Sequence, residues 1–312
     1  MDLDRIEGTL GTTDVIVETK LDGFRLQVHW RRDSGDGELL KCFWRSGIDC
    51  TSDVADLLPA LRLAFGSEQQ LWPLNDGRGH DFGDARLLQA EEADAPGDAR
   101  ADRYTWLRKA AGEARQGRAD ARWHEGGLAS LGGPRPRSVV LDGELLVYDE
   151  VGTAAGTYDE LGNAPGIVGF GTIHWVKCGG YGKAPSNYSR ADCRRHLLFK
   201  AFDVLHLDGV DVMHRPLAER RRILEERCFV DVPRYVERTS CRRYDLRLQP
   251  RAVHDAFAWA QSRGEEGLMV KSAAQPYVPC ARSHTLKLKP EYVAGLGDVT
   301  LLVVGARFVD GP

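Results

Sequence analysis

The chain has 312 residues, 42% hydrophobic and 28% charged, a balance ordinary for a globular protein of one large domain or two small ones. Its 42 Lys and Arg against 46 Asp and Glu give a formal net charge of −4, which excludes a uniformly basic nucleic-acid coat but not a local basic groove. No stretch approaches the ~18 apolar residues of a membrane span, the first residues lack the apolar core of a secretory signal, and the seven cysteines include no C-x-x-C pair. Cysteines scattered in this way read as reduced thiols of a cytosolic or nuclear protein.

Asp14–Lys20, Phe24–Trp30 and Leu39–Arg45 each alternate apolar and polar positions. Three such runs close together predict one antiparallel sheet with a wet face. Asp53 is placed to cap a helix through Leu57, Leu58, Leu61 and Phe65. The block 66–137 then changes character. Between Gly66 and Asp102 there are nine acids and three arginines. EEADAPGDARAD has no apolar period, so this block reads as an acidic insert or long loop. Ser138–Tyr148 reads as strand–turn–strand or as a bulged strand with Gly143 at its centre, and residues 151–190 as a second, Gly-rich loop. Leu197–Leu207 is an apolar strand, Pro216 opens a helix reaching Leu224, and Arg251–Arg263 is a helix stopped by Gly264. Gly267–Lys271, Thr285–Lys289 and Val299–Val304 are short strands. From Arg215 to Arg251 eleven arginines outnumber six acids, which fits either a solvated helix face or a phosphate-contacting surface.

The sharpest motif is Lys20-Leu21-Asp22-Gly23-Phe24-Arg25, expected on a strand–turn–strand whose glycine permits close approach to a ligand. Alone it is either a charged hairpin tip or a site. Four further patches accompany it: Arg45-Ser46-Gly47, Asp142-Gly143-Glu144, EEGLMVK at 265–271, and Lys287-Leu288-Lys289, whose alternation turns both lysines to one face. Phe202 precedes Asp203 in a strand that reads as buried. The nine histidines lack metal-ligand spacing, and no G-x-x-x-x-G-K-[ST] loop is present.

In this order the motifs resemble the covalent nucleotidyltransferase superfamily, specifically the ATP-dependent DNA ligases. EEGLMVK and LKLKPEYVAGLGDVTLLVVGA are most similar to the eukaryotic DNA ligase IV type. The resemblance covers most of 14–306 apart from the two loops. It implies an α/β (α+β) nucleotidyltransferase fold, ATP-grasp-like, of two largely antiparallel sheets with flanking helices and the nucleotide between them. Residues 1–295 would be the adenylation domain and 296–312 the first strand of a truncated OB-fold.

The resemblance further implies roles. Lys20 is the nucleophile that forms a covalent lysine–AMP bond. Glu18 reads the adenine amino group, and Phe202 stacks on the base. Arg25 contacts the ribose end, Arg45 contacts nucleotide or the DNA end, and Glu144 is the acid of the third motif. Glu266 and Lys271 belong to the fourth motif, Lys287 and Lys289 to the fifth. Glu144 and Glu266 would hold Mg²⁺, a hard ion that prefers carboxylate oxygen. The attacking amine must be neutral; a free lysine with pKa ~10.4 needs about 4.6 kcal/mol for deprotonation at pH 7, a cost that neighbouring cations lower. The implied partners are ATP, nicked or broken double-stranded DNA and end-joining repair proteins, in the nucleus and away from membranes. Full ligases of this type carry a helical DNA-binding domain before this region and an OB-fold domain with a sixth motif after it. A chain without these is expected to adenylylate itself inefficiently and not to seal nicks alone. The rival readings are a catalytically weak nucleotide- or DNA-binding fragment or repair scaffold, and an RNA ligase or mRNA capping enzyme, which share K-x-D-G.

Overall fold

The computed structural model describes residues 6–32, 37–66, 136–149, 167–168, 195–263, 265–279 and 285–290. Most of the acidic insert, most of the Gly-rich loop and all of 296–312 lie outside the described residues. Eleven strands and four α-helices follow in chain order: α1 (Ile6–Leu10), β1 (Asp14–Thr19), β2 (Phe24–Arg32), β3 (Glu38–Trp44), α2 (Leu58–Phe65), β4 (Ser138–Asp149), β5 (Ile167–Val168), β6 (Arg195–Leu207), β7 (Val210–Asp211), α3 (Leu217–Ile223), β8 (Val236–Arg238), β9 (Cys241–Asp245), α4 (Ala252–Ser262), β10 (Leu268–Ser272) and β11 (Thr285–Leu288).

The strands build two sheets. One has the order β11-β10-β1-β9 and is antiparallel throughout. The other runs β3-β2-β4-β6-β7, with β5 on β4 and β8 on β6. The β6–β8 pair is its parallel exception. The two largely antiparallel sheets with flanking helices expected from the sequence are therefore present.

Each sheet buries one face in a core of its own, as strand alternation requires. In the larger sheet Leu26, Val28 and Trp30 of β2 join Leu141, Leu145 and Val147 of β4 and Phe199 of β6, beneath Leu61 and Phe65 of α2. In the smaller sheet Val15, Val17, Val270 and Leu286 pack on Ile6 and Leu10 of α1 and on Val253 and Phe257 of α4. The remaining faces turn toward each other.

Three local expectations are corrected. The three N-terminal strands do not share a sheet: β2 and β3 pair, whereas β1 lies between β9 and β10. Lys20–Gly23 is thus a crossing between sheets and not a hairpin tip. Asp53 caps no helix; a 3₁₀ turn, Ser52–Leu57, precedes α2 without a side-chain cap, and the Asp53 carboxylate accepts from Trp44 Nε1 at 3.2 Å. The Arg215–Arg251 segment is neither wholly solvated nor wholly a phosphate surface, because Arg220 and Arg221 are buried. The bulged reading of Ser138–Tyr148 holds. β4 is continuous and its register on β6 shifts between Val140 and Leu141 and between Asp142 and Gly143.

Candidate active site

The chain passes between the sheets at Lys20–Gly23, from β1 to β2, and again at Thr239–Ser240, from β8 to β9. Both crossings are fixed through the backbone. The Lys20 N–H donates to the Gly267 carbonyl at 2.9 Å, and the Thr239 N–H to the Ala201 carbonyl at 2.8 Å. Gly23 lies so close to β4 that a methyl group there would collide with the Leu145 carbonyl oxygen. From the sequence this glycine is expected to admit a ligand; the close approach present here is instead to the neighbouring strand. An open cavity of about 1270 Å³ lies beside the crossing, lined among others by Glu18, Lys20, Asp22, Thr239 and Glu266 and by Trp259 of α4; Phe202, Lys271, Glu144 and Lys289 stand outside its lining.

The smaller sheet supplies one wall. Glu18 pairs with Met269, and Met269 pairs with Lys287, while Ile16 pairs with Lys271. Opposed residues share a face, so Glu18, Lys271 and Lys287 look away from the Val15–Val17 core. Lys271 bonds to Glu18, and its Nζ lies 5.0 Å from the centroid of the Phe202 ring. Arg221 approaches the other Glu18 oxygen at 3.9 Å. That oxygen, Oε2, is buried without a hydrogen-bond partner. Lys20 donates to Glu266, and Lys289 meets the second oxygen of the same carboxylate at 2.7 Å. Asp22 belongs to this group too: burial and the nearby Glu266 raise its carboxyl above the ordinary range, against the pull of Lys20 and Lys289.

The larger sheet supplies the other wall. Glu144 on β4 is paired with Arg25 on β2 and accepts from the Gly23 backbone N–H. Burial pushes the Glu144 carboxyl up to about 7, although Lys20 and Arg25 oppose the shift. Arg25 makes a forked pair with Asp142, at 2.9 Å and 2.5 Å, and also contacts the Tyr277 hydroxyl. Tyr277 in turn donates to Asp142 at 2.9 Å. The hydrogen bonds to Asp142 raise Arg25 further above its ordinary range.

Of the residues singled out in the sequence, Lys20, Glu266, Lys289 and Glu144 gather at the crossing, and Glu18, Lys271 and Phe202 gather beside it. Arg25 is committed to Asp142. Lys287 is exposed on the face of its sheet that also bears Met269 and Glu18. Arg45 lies exposed in the turn after β3, one step beyond the Leu26–Trp44 pair and so toward the same end of the sheet as Arg25. Sequence reasoning assigned no role to Asp22 and Asp142, although both stand inside quoted motifs. Tyr277 and Thr239 carried no motif signal, Asp203 was noted only as the neighbour of Phe202, and Arg220 and Arg221 only as part of an arginine-rich segment. Such an arrangement can hold a polyanion against lysines, an aromatic face and paired carboxylates, with an amine at its centre.

The family profile described as "ATP dependent DNA ligase domain" matches residues 128–289. Over 181 residues the chain is 30% identical to "DNA ligase 4" of Dictyostelium discoideum, a match covering 55% of this chain and 15% of that protein. Over 111 residues it is 37% identical to "DNA ligase" of Methanoculleus marisnigri, covering 35% of this chain and 18% of that one. The solved structure titled "mycobacterial DNA ligase D complexed with ATP and MES" aligns with a TM-score of 0.43 at 18% identity, over 89% of this chain and 55% of that chain. The match therefore spans less than a fifth of either curated relative. The profile match, which spans just over half of the chain, defines the class: the chain belongs to the ATP-dependent DNA ligase domain family.

Proposed function

We propose that the chain is the adenylation domain of an ATP-dependent DNA ligase and that Lys20 carries the covalent step. The Lys20 nitrogen bonds to the α-phosphorus of ATP, the bond from that phosphorus to the oxygen bridging the β-phosphate breaks, and pyrophosphate leaves. The amine attacks in its neutral form, losing one proton before the N–P bond forms and a second afterwards. Glu266, already hydrogen-bonded to the amine, is the proton acceptor at hand. One observation carries this reading. The lysine of KLDGFR and the carboxylate of EEGLMVK, 246 positions apart, meet side chain to side chain where the sheets cross.

The neighbouring groups support an adenine nucleotide. Phe202 offers a flat apolar face. Glu18 Oε2, buried and without a hydrogen-bond partner, calls for an N–H donor such as an exocyclic amine. Lys271, Lys287 and Lys289 suit phosphate oxygens, as does Arg45 at the sheet end. Arg25 would reach the ribose end only by reorganising its pair with Asp142.

Glu144 and Glu266 flank the amine from the two sheets and suit Mg²⁺ as hard oxygen donors. Among the described residues no group of three or more His, Cys, Asp or Glu could hold a metal ion. The two carboxylates fit an ion whose other ligands are phosphate oxygens and water. Bound there, the ion would neutralise charge on the phosphates during displacement.

The use of the adenylate follows the DNA ligase IV resemblance: transfer of AMP to a 5′-phosphate and sealing of DNA breaks by end joining in the nucleus. The test of the first step is intact mass after incubation with ATP and Mg²⁺, beside GTP and a Lys20→Ala variant. An AMP-sized adduct with ATP alone, absent in Lys20→Ala, is expected. Measurable ATP binding with no adduct would overturn the covalent step and leave a nucleotide-binding fragment.

A further inference from the structure

Three buried polar atoms without hydrogen-bond partners lie around one side chain: Arg221 Nε itself, and Glu18 Oε2 and Thr239 Oγ1 of two residues that Arg221 contacts. Buried polar groups are satisfied in most folds, so a cluster of orphans signals something the site is built to hold. The Arg221 guanidinium is the hub of this cluster. It donates to the Phe202 carbonyl at 3.0 Å, donates to the Thr239 carbonyl, and stands 3.9 Å from Glu18 Oε2. Arg221 is 3% exposed. One buried side chain thereby fixes the strand bearing the aromatic ring, the strand bearing the acceptor carboxylate, and the crossing that bears Thr239.

Thr239 is aligned with the other two. Glu18 pairs with Cys241, and Thr239 continues that line two residues toward Lys20. Its N–H is bonded to the Ala201 carbonyl, next to Phe202. Thr239 and Glu18 both line the cavity beside the crossing, together with Lys20. A second observation gives the chemistry of what fits. The Lys271 ammonium stands over the Phe202 ring and is bonded to Glu18 Oε1, so one oxygen of this carboxylate already takes an N–H donor beside the aromatic face and Oε2 is left open for a second.

We infer that the Thr239 hydroxyl is a second acceptor for the exocyclic amino group of the bound base, beside Glu18, and that Arg221 is the positioning residue that aims both. The amine of an aminopurine has two N–H donors, and the slot offers two unpartnered oxygens. The inference rests on the reading of this cleft as an adenine-nucleotide site.

The test is equilibrium binding of ATP and of purine riboside triphosphate, which carries hydrogen in place of the amine, in metal-chelated buffer so that no chemistry competes. Thr239→Val keeps the side-chain shape and removes the hydroxyl. The variant is expected to bind ATP about three- to tenfold more weakly, the size of one net hydrogen bond, and the amine-free analogue as wild type does. Arg221→Lys is expected to lose the preference for ATP over that analogue. Arg220→Lys, equally buried on the same helix but bonded to Asp203, is expected to lower the melting temperature and keep the preference. An equal loss on both nucleotides, or no loss, in Thr239→Val overturns the inference while leaving the nucleotide site intact. Wild-type protein that binds neither nucleotide overturns the adenine-site reading and the inference with it.

Discussion

Glu144 is an acid that its surroundings hold closer to neutral than water would. Burial raises its carboxyl to about 7. The folded state therefore binds its proton more tightly than the unfolded chain does. The associated stability is full below the ordinary carboxylate range, near 4.5, and is lost as pH rises through about 7. Glu144→Gln removes this dependence. In metal-free buffer the variant is expected to melt higher than wild type at pH 8, by an amount equivalent to about 1–3 kcal/mol, and to show no such gain at pH 4.5. Melting curves at the two pH values check it; an unchanged difference would mean that burial does not control this group. At the same scale, the residue types of KLDGFR, DGE and EEGLMVK were legible, because the chemistry of a lysine nucleophile needs carboxylates and cations near it. Which oxygen meets which nitrogen was not. The Lys20–Glu266–Lys289 chain of contacts and the Arg25–Asp142–Tyr277 triangle depend on residues far apart in sequence.

Helix α3 shows how one element can tie two sheets together. Its first N–H groups donate to carbonyls beyond β10, Leu217 to Gln275 and Ala218 to Ala273, both at 2.9 Å. This satisfies donors that a helix start leaves open. Its consecutive arginines then reach different partners. Arg220 forks onto Asp203 of β6 at 2.8 Å and 2.9 Å and donates to the Arg215 and Gln275 carbonyls; Arg221 reaches Phe202, Thr239 and Glu18. Removing one partner of a buried, hydrogen-bonded pair strands the other charge. Arg220→Ala is expected to destabilise the protein by about 3–5 kcal/mol, whereas Arg222→Ala, on the exposed side, stays within about 0.5 kcal/mol. Urea unfolding compares them, and equal losses would contradict the clamp. The arginine excess of this segment was visible in the sequence. Its meaning was not, since helical spacing does not reveal that acids on β6 and β1 wait opposite. The strand elements were more legible. β2 alternates as its residues do, and Gly143 sits where a methyl group would strike the Phe199 ring, consistent with an irregular β4–β6 ladder.

At the scale of the molecule, the site exists because each sheet spends one face on its own core and leaves the other to the cleft. On the proposed reading a nucleotide held there contacts both sheets and so stabilises the folded state through its binding energy. ATP at 100 times its dissociation constant is expected to add about 2.7 kcal/mol, a rise in melting temperature of about 4 °C for a chain of this size. GTP at the same concentration is expected to give a smaller rise. A thermal scan that finds no ATP shift would contradict the nucleotide reading of the cleft.

Local order and residue chemistry were determined by the sequence. Alternation fixed which side chains of β2 and β11 face inward, because the period of a strand is a property of neighbouring residues, whereas β1 and β6 are buried over consecutive positions and their faces were not legible in this way. Motif order drew Lys20, Glu144 and Glu266 together as candidates, because few side-chain types supply an amine and hard oxygen ligands. The tertiary structure decided pairing. It put β1 and β2 in different sheets although four residues separate them, turned KLDGFR into a crossing, and buried Arg220 and Arg221. Backbone hydrogen bonds are alike for every residue, so a strand's own sequence does not name its partner. That choice belongs to the packing of two cores at once, and the active-site geometry follows from it.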